Sequence, residues 1–166
     1  MREDQVRVTV QVRVPPSVAF AVFTEQTDTW WLRGPAYRVG GRSPGTLRFE
    51  GGAGGRLVES FETAAGERAH VAGTILDWEP PTRLRFEWRG VNFAAHERTE
   101  VEIRFEPTAS GTRVTLEHRG FAALRPDHPV RHGQPPAAFL ADLGRWWGAL
   151  LSSLRERATR ERDERR

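Results

Sequence analysis

His118 is the residue best placed to do chemistry. It alternates with Val114 and Leu116 along an extended run, so the two-residue period of a strand turns its ring inward. A histidine at a pocket mouth is suited to act as acid, base or ligand donor. The plain structural reading sets the same ring against a backbone carbonyl near the end of the last strand, and the sequence leaves both open. The carboxylates offer less. Glu100 and Glu102 run out of phase with Val101 and Ile103 and so point outward, with Glu97 just before them; Glu59 and Glu62 fall on opposite faces of one strand. The five histidines, His70, His96, His118, His128 and His132, lack the spacing of a helical zinc site. His128 and His132 stand four apart, but Pro129 lies between them and no catalytic glutamate pattern follows. Gly51 to Gly55 lacks the lysine and Ser/Thr of a phosphate loop and reads as a hairpin turn, and no Gly-x-Ser-x-Gly elbow occurs. The expectation is a chain without metal or cofactor, in which His118 is the one catalytic candidate.

The aromatic residues are the stronger signal, with six tryptophans in 166 residues. Phe86, Trp88, Phe105, Phe121, Phe139 and Trp147 all fall on inward faces. Much of that set must be core. The C-terminal segment also carries Ala137, Ala141, Gly144 and Gly148 at turn spacing beside its apolar stripe. Glycine costs a helix about 1 kcal/mol, so either the backbone packs closely there or room is left beneath it. Trp88 and His118 end the inward rows of their strands, and Phe121 follows the Gly120 bend. The ligand-binding candidates are Trp31, Phe86, Trp88, His118, Phe121, Phe139, Leu143, Trp147 and Gly148.

The elements that must position these residues follow from periodicity. Val6 to Val14 alternate with polar residues and predict a strand, ended by Pro15-Pro16. Proline suits a first helical turn, and Val18, Ala19, Val22 and Phe23 share one helical face; a second short helix is predicted around Thr27 to Leu32. Gly34 to Gly45 reads as loop. Strands are predicted over Thr46 to Glu50, Arg56 to Thr63, Arg68 to Trp78, Arg83 to Arg89, Thr99 to Phe105 and Arg113 to His118, separated by glycine and proline turns. From Pro136 the period becomes helical, with Leu140, Leu143, Trp147, Leu150 or Leu151, and Leu154 as the stripe. Strands followed by one helix predict an α+β fold with an antiparallel sheet of about seven strands. Residues 1–156 are expected to form one domain, and 157–166 a charged, frayed or disordered tail.

Composition excludes several classes. Without cysteine there is no disulfide, thiolate metal site or cysteine nucleophile. Every basic side chain apart from histidine is arginine, which with abundant Ala, Gly and Pro suggests a GC-rich bacterial genome. The net charge is only +3. Arg alternates with Glu along the strands, as in Arg83, Arg85 and Glu87, which is the pattern of a solvated sheet face and not of a nucleic-acid surface. No apolar run approaches the roughly 20 residues of a membrane span, and Met1 to Val14 lack the apolar stretch of a signal peptide. The expected location is the cytoplasm, with no nucleic-acid or membrane partner, as a monomer or homodimer.

Several pieces resemble one family. They are Val14-Pro15-Pro16-Ser17-Val18-Ala19-Phe20 after the first strand, Trp30-Trp31, Gly54-Gly55-Arg56, and Gly73 to Leu84 with its Asp77-Trp78-Glu79-Pro80-Pro81 core. Phe86-Glu87-Trp88, Gly111 to Phe121, and Trp147 with Leu151 and Leu154 complete the set. Their order resembles the Bet v 1-like, START-like (SRPBCC) helix-grip superfamily, and within it the activator of Hsp90 ATPase C-terminal-domain-like family. The resemblance covers nearly the whole chain. It implies a curved sheet wrapped around a long C-terminal helix, with a cavity for lipids, hormones, polyketides or other apolar molecules. A branch sharing the tandem tryptophan and the Glu-His pair contains self-resistance proteins that sequester enediyne antibiotics. The Hsp90 activator itself carries a further N-terminal domain, for which this sequence has no room. The expected function is binding of a small apolar or aromatic molecule between sheet and helix, as carrier or sequestering protein. A cyclase or hydrolase using His118 and a co-chaperone-type interaction module are the alternatives.

Overall fold

The alternating segments pair into one antiparallel sheet. In the computed structural model, which describes residues 4–40 and 45–166, the strands are β1 (Gln5–Val12), β2 (Gly45–Phe49), β3 (Arg56–Thr63), β4 (Gly66–Glu79), β5 (Arg83–Trp88), β6 (Thr99–Thr108) and β7 (Gly111–Arg119). They lie in the order β1-β7-β6-β5-β4-β3-β2. From β2 to β7 each strand pairs with the next, while β1 closes against β7 at the far edge. The chain therefore has to cross the whole sheet between β1 and β2. It does so through α1 (Pro16–Glu25) and α2 (Thr27–Trp30). Pro16 starts α1 at a position where a missing N–H costs nothing, and the Pro15 carbonyl accepts from the amides of Val18 and Ala19. Of the loop expected over Gly34 to Gly45, residues 41–44 lie outside the described residues.

The sheet curls because β4 bends. Its register slips against β3 at Leu57/Val58 and against β5 at Ile75/Asp77. Gly73 sits between the two slips, where a Cβ would stand 1.6 Å from the Glu87 carbonyl oxygen. Only glycine fits that approach, and the paired bulges turn the strand from one half of the sheet into the other.

The inner face carries aligned rows: Val6, His118 and Val101 in one, Val8, Leu116 and Ile103 in the next, then Val10, Val114 and Phe105. α3 (Pro136–Glu164) covers them with Phe139, Leu140, Trp147, Leu150, Leu151 and Leu154. The outer face carries the arginines and carboxylates as a lattice. Arg85 bridges Asp77 and Glu100, Arg119 bridges Glu100 and Glu102, and Arg7 pairs with Glu117 across β1 and β7. That face was expected to be solvated. Glu102 is instead buried under Arg83, Arg104 and Arg119, because long arginine stems cover apolar surface while their heads pair.

The C-terminal expectation needs correction. The helix does not fray after Leu154, and residues 157–164 continue it. Ala158 is the next step of the apolar stripe and is fully buried, although charged neighbours hide it in the sequence. Arg157 Nε donates to Gln26 Oε1 at 2.9 Å, and Gln26 Nε2 donates to Glu161 Oε1 at 2.6 Å, tying the last turns to the end of α1. Deleting residues 157–166 should therefore lower stability in denaturant unfolding by on the order of 1–3 kcal/mol, from lost burial and unpaired polar groups. An unchanged midpoint would mean the docked turns contribute nothing.

Candidate functional site

At the end of the inner face the apolar rows give way to a polar chain through the core. His118 closes the inward row of β7 and is 1 % exposed. Thr99 lies two residues from its cross-strand partner Val101, on the same face of β6, which makes the two side chains diagonal neighbours. His118 Nε2 is 2.7 Å from Thr99 Oγ1, and Nδ1 is 3.1 Å from Trp147 Nε1 on α3. An indole N–H can only donate, so Nδ1 accepts and the ring proton sits on Nε2. Thr99 Oγ1 accepts a hydrogen bond from that N–H and donates its own hydroxyl hydrogen to the Trp88 carbonyl at 3.1 Å. Every group in the chain is matched. Burial pushes the His118 pKa down to about 3, so the ring is neutral at physiological pH. A ring held with both nitrogens engaged has no free lone pair or proton to offer a substrate. The sequence-based alternative of a backbone carbonyl partner also fails, since both partners are side chains.

Around this chain, two hollows open between the sheet, the loops and α3. The first, about 270 Å³, is walled by Trp88, His118, Phe121, Phe139, Leu143 and Trp146, with Phe93 and Val130 from the loops and His132, Gln134 and Asp142 as polar groups. The second, about 380 Å³, is walled by Trp31, Tyr37, Trp88 and Trp146, and also by Arg38, Glu59, His70 and Asn92. Trp88, Trp146, Ala36 and His132 belong to both. Trp146 forms the partition. Its indole stacks on Tyr37 at 5.7 Å and 21° and donates to the Ala36 carbonyl at 2.7 Å. Trp31 and Trp88 stack at 6.0 Å and 19°.

Two carboxylates hold the loop that closes the second hollow. Asp28 pairs with Arg38 at 2.5 Å and accepts from the Leu47 amide. Burial alone would raise the Asp28 pKa, but the Leu47 N–H and the Arg38 guanidinium outweigh it and hold the group below its ordinary value. Arg38 also donates to the carbonyls of Trp31, Leu32 and Asp28. Glu59 accepts from the amides of Val39 and Gly40 at 2.8 and 2.5 Å. Among the described residues no three His, Asp or Glu side chains converge as metal ligands.

The structure brings together five sequence candidates, Trp88, His118, Phe121, Phe139 and Leu143, in the first hollow. Trp31 lines the second. Phe86 lies deeper, its ring 5.3 Å from Phe49, and Trp147 is wholly buried beneath His118. Gly148 lines neither hollow. At 100° per residue it falls on the opposite flank of the buried stripe from Phe139, Leu143 and Trp146, and a Cβ there would meet open space. Trp146, Tyr37, Phe93 and Val130 escaped sequence reading. Phe139, Leu143 and Trp146 repeat at i, i+4 and i+7, a second helical line that marks Trp146; the three loop residues have no periodicity to betray them.

Residues 13–138 match the family model described as Activator of Hsp90 ATPase homolog 1-like protein. No curated protein matches the chain. Among solved structures, a Nitrosomonas europaea protein is 18% identical, with a TM-score of 0.65 and coverage of 98% of this chain and 99% of that one. A Staphylococcus aureus protein of unknown function is 10% identical at TM-score 0.69, covering 96% and 95%. The Aha1 dimer from Colwellia psychrerythraea is 14% identical at TM-score 0.60, covering 92% and 93%. At these identities the likenesses show the fold. No helix among the described residues is long and apolar enough to cross a membrane.

The buried histidine gives a pH signature. Its folded pKa of about 3 lies below the ordinary 6.5. Above pH 6.5 the ring is neutral in both states. Below it the unfolded chain takes up a proton that the folded chain refuses, so stability falls as pH drops toward the folded value. Between pH 7 and 5 the wild type should lose about 2 kcal/mol more than His118→Gln, at about 1.4 kcal/mol per pH unit. His70 is also lowered by burial, but both proteins keep it. Parallel pH profiles in urea melts would show that His118 is not held neutral.

Proposed function

This chain belongs to the Activator of Hsp90 ATPase homolog 1-like family, and on that premise we propose that it binds a small apolar, aromatic molecule in the tryptophan-walled cleft between its sheet and α3. The family fold is known for ligand-binding and co-chaperone roles. One observation carries the first reading: a concave hollow of about 270 Å³ whose walls are Trp88, Phe121, Phe139, Leu143 and Trp146, with polar groups only at Gln134, Asp142 and the histidines. Small-molecule sites are concave and mostly apolar, with a few polar groups to orient the ligand. A co-chaperone surface would instead present a broad exposed apolar patch.

The locked state of His118 speaks against a cyclase or hydrolase that uses it. A general base works best with a pKa near the operating pH, and burial has moved this one to about 3. The reading is therefore a carrier or sequestering protein of the cytoplasm, with the chemistry left to its ligand.

The neutral fluorophore N-phenyl-1-naphthylamine should bind saturably and quench tryptophan emission. Leu143→Trp replaces a branched aliphatic side chain with a bulky indole in the first hollow and should weaken binding by at least about tenfold. Gly148→Leu, whose side chain enters open space, should leave the affinity unchanged. Absence of saturable binding to the folded wild type, or equal affinity in Leu143→Trp, would overturn the assignment.

A further inference from the structure

We infer that the second hollow is a site for an organic cation, a substituted or quaternary ammonium group. This rests on the reading that the cleft binds small molecules and adds the charge of what it takes. The hollow has two features the first lacks. Four electron-rich rings, Trp31, Tyr37, Trp88 and Trp146, line it, in two stacked pairs. Such rings attract a cation over their faces through the quadrupole of the π system, and tryptophan does so best. A buried carboxylate, Glu59, lines the same hollow at 4 % exposure.

Among the described residues, the partners of Glu59 are the amides of Val39 and Gly40, and no arginine pairs with it. Arg38 pairs with Asp28, a carboxylate it shares with Arg33, and donates otherwise to the Trp31 and Leu32 carbonyls and not to Glu59. The Arg89 guanidinium donates to the carbonyls of Ala94 and Glu97, away from the carboxylate. His70, across the strand pair from Glu59, sits below its ordinary pKa because of burial and adds no charge at neutral pH. Its Nε2 faces the Arg89 carbonyl at 3.3 Å.

The rim selects an organic cation over a metal ion. Val39 and Val91 are 43 % and 69 % exposed, stand out as large apolar side chains in contact with solvent, and both line this hollow. They suit the methyl or alkyl groups on an ammonium nitrogen. A hydrated metal ion gains nothing from such walls.

Choline and its neutral isostere 3,3-dimethylbutan-1-ol isolate the charge at constant shape. Titrated against the full-length chain by calorimetry, choline should bind at least about tenfold tighter than the alcohol. Glu59→Gln should erase most of that advantage, read as the ratio of choline to alcohol affinity within the same variant. Equal affinities for the pair, or an unchanged ratio in a folded Glu59→Gln, would overturn the inference. If Glu59→Gln fails to fold, Trp146→Leu serves instead: it removes a ring but keeps an apolar side chain, and should weaken choline by about tenfold. Choline affinity unaltered by that change would equally overturn it. The two readings fail separately. Loss of N-phenyl-1-naphthylamine binding in Leu143→Trp with choline binding intact supports both. Naphthylamine binding without a choline preference refutes only the cation site. A choline preference without naphthylamine binding refutes only the apolar site.

Discussion

Three hydrogen bonds join the long helix to three neighbouring strands through groups that solvent does not reach. Trp147 on α3 donates to His118 on β7, His118 donates to Thr99 on β6, and Thr99 donates to the backbone of β5 at Trp88. Apolar packing alone would let the helix slide along the sheet at small cost, because apolar contacts have no direction. A buried chain of matched donors and acceptors does not allow that, since each unmatched group costs about 1–3 kcal/mol. The chain therefore fixes both the height and the rotation of α3. With Trp147 pinned, Phe139, Leu143 and Trp146 are carried over the end of the sheet and become one wall of the cleft. The histidine that looked like a catalyst is the pin, with both of its ring nitrogens engaged inside the fold.

The rest of the cleft is held by charge placed with similar economy. The segment from Arg33 to Gly40 has no sheet to bond to. Asp28 and Glu59 stand in for one, the first through Arg38 and the Leu47 amide, the second through the amides of Val39 and Gly40. On the outer face the ion-pair lattice over β4 to β7 keeps the arginines and most carboxylates of the strands out of the interior. The concave face can then be almost wholly apolar, which is why rings and not charges dominate the cleft.

Much of this was legible in the chain. Alternation marked β1, β5, β6 and β7, glycine and proline turns set off β2, β3 and β4, and the switch of period at Pro136 marked the start of α3. Trp88, His118 and Phe121 were legible as neighbours because strand ends on one face and a residue just past a glycine bend must converge. Legibility failed where local pattern and tertiary use diverge. Gly148 reads as room for a ligand because turn spacing gives its row and not its flank. Ala158 reads as the end of a stripe because charged neighbours mask one small buried residue. Tyr37 and Phe93 lie in loops and Val130 in a single 3-10 turn, too short for a period to link sequence position to direction.

By itself, then, the sequence determined the class of fold, the inward set of residues on each strand, the apolar stripe of α3 and the excess of aromatic rings. These follow from backbone geometry, which repeats every two residues in a strand and every 3.6 in a helix. Only the tertiary structure decided which rings become wall and which become core, that His118 is bonded on both nitrogens, and that Trp146 divides the space in two. Those outcomes depend on where α3 sits along and around its axis relative to β5, β6 and β7. That placement is set by long-range hydrogen bonds between residues 11 to 29 positions apart, which no local period encodes.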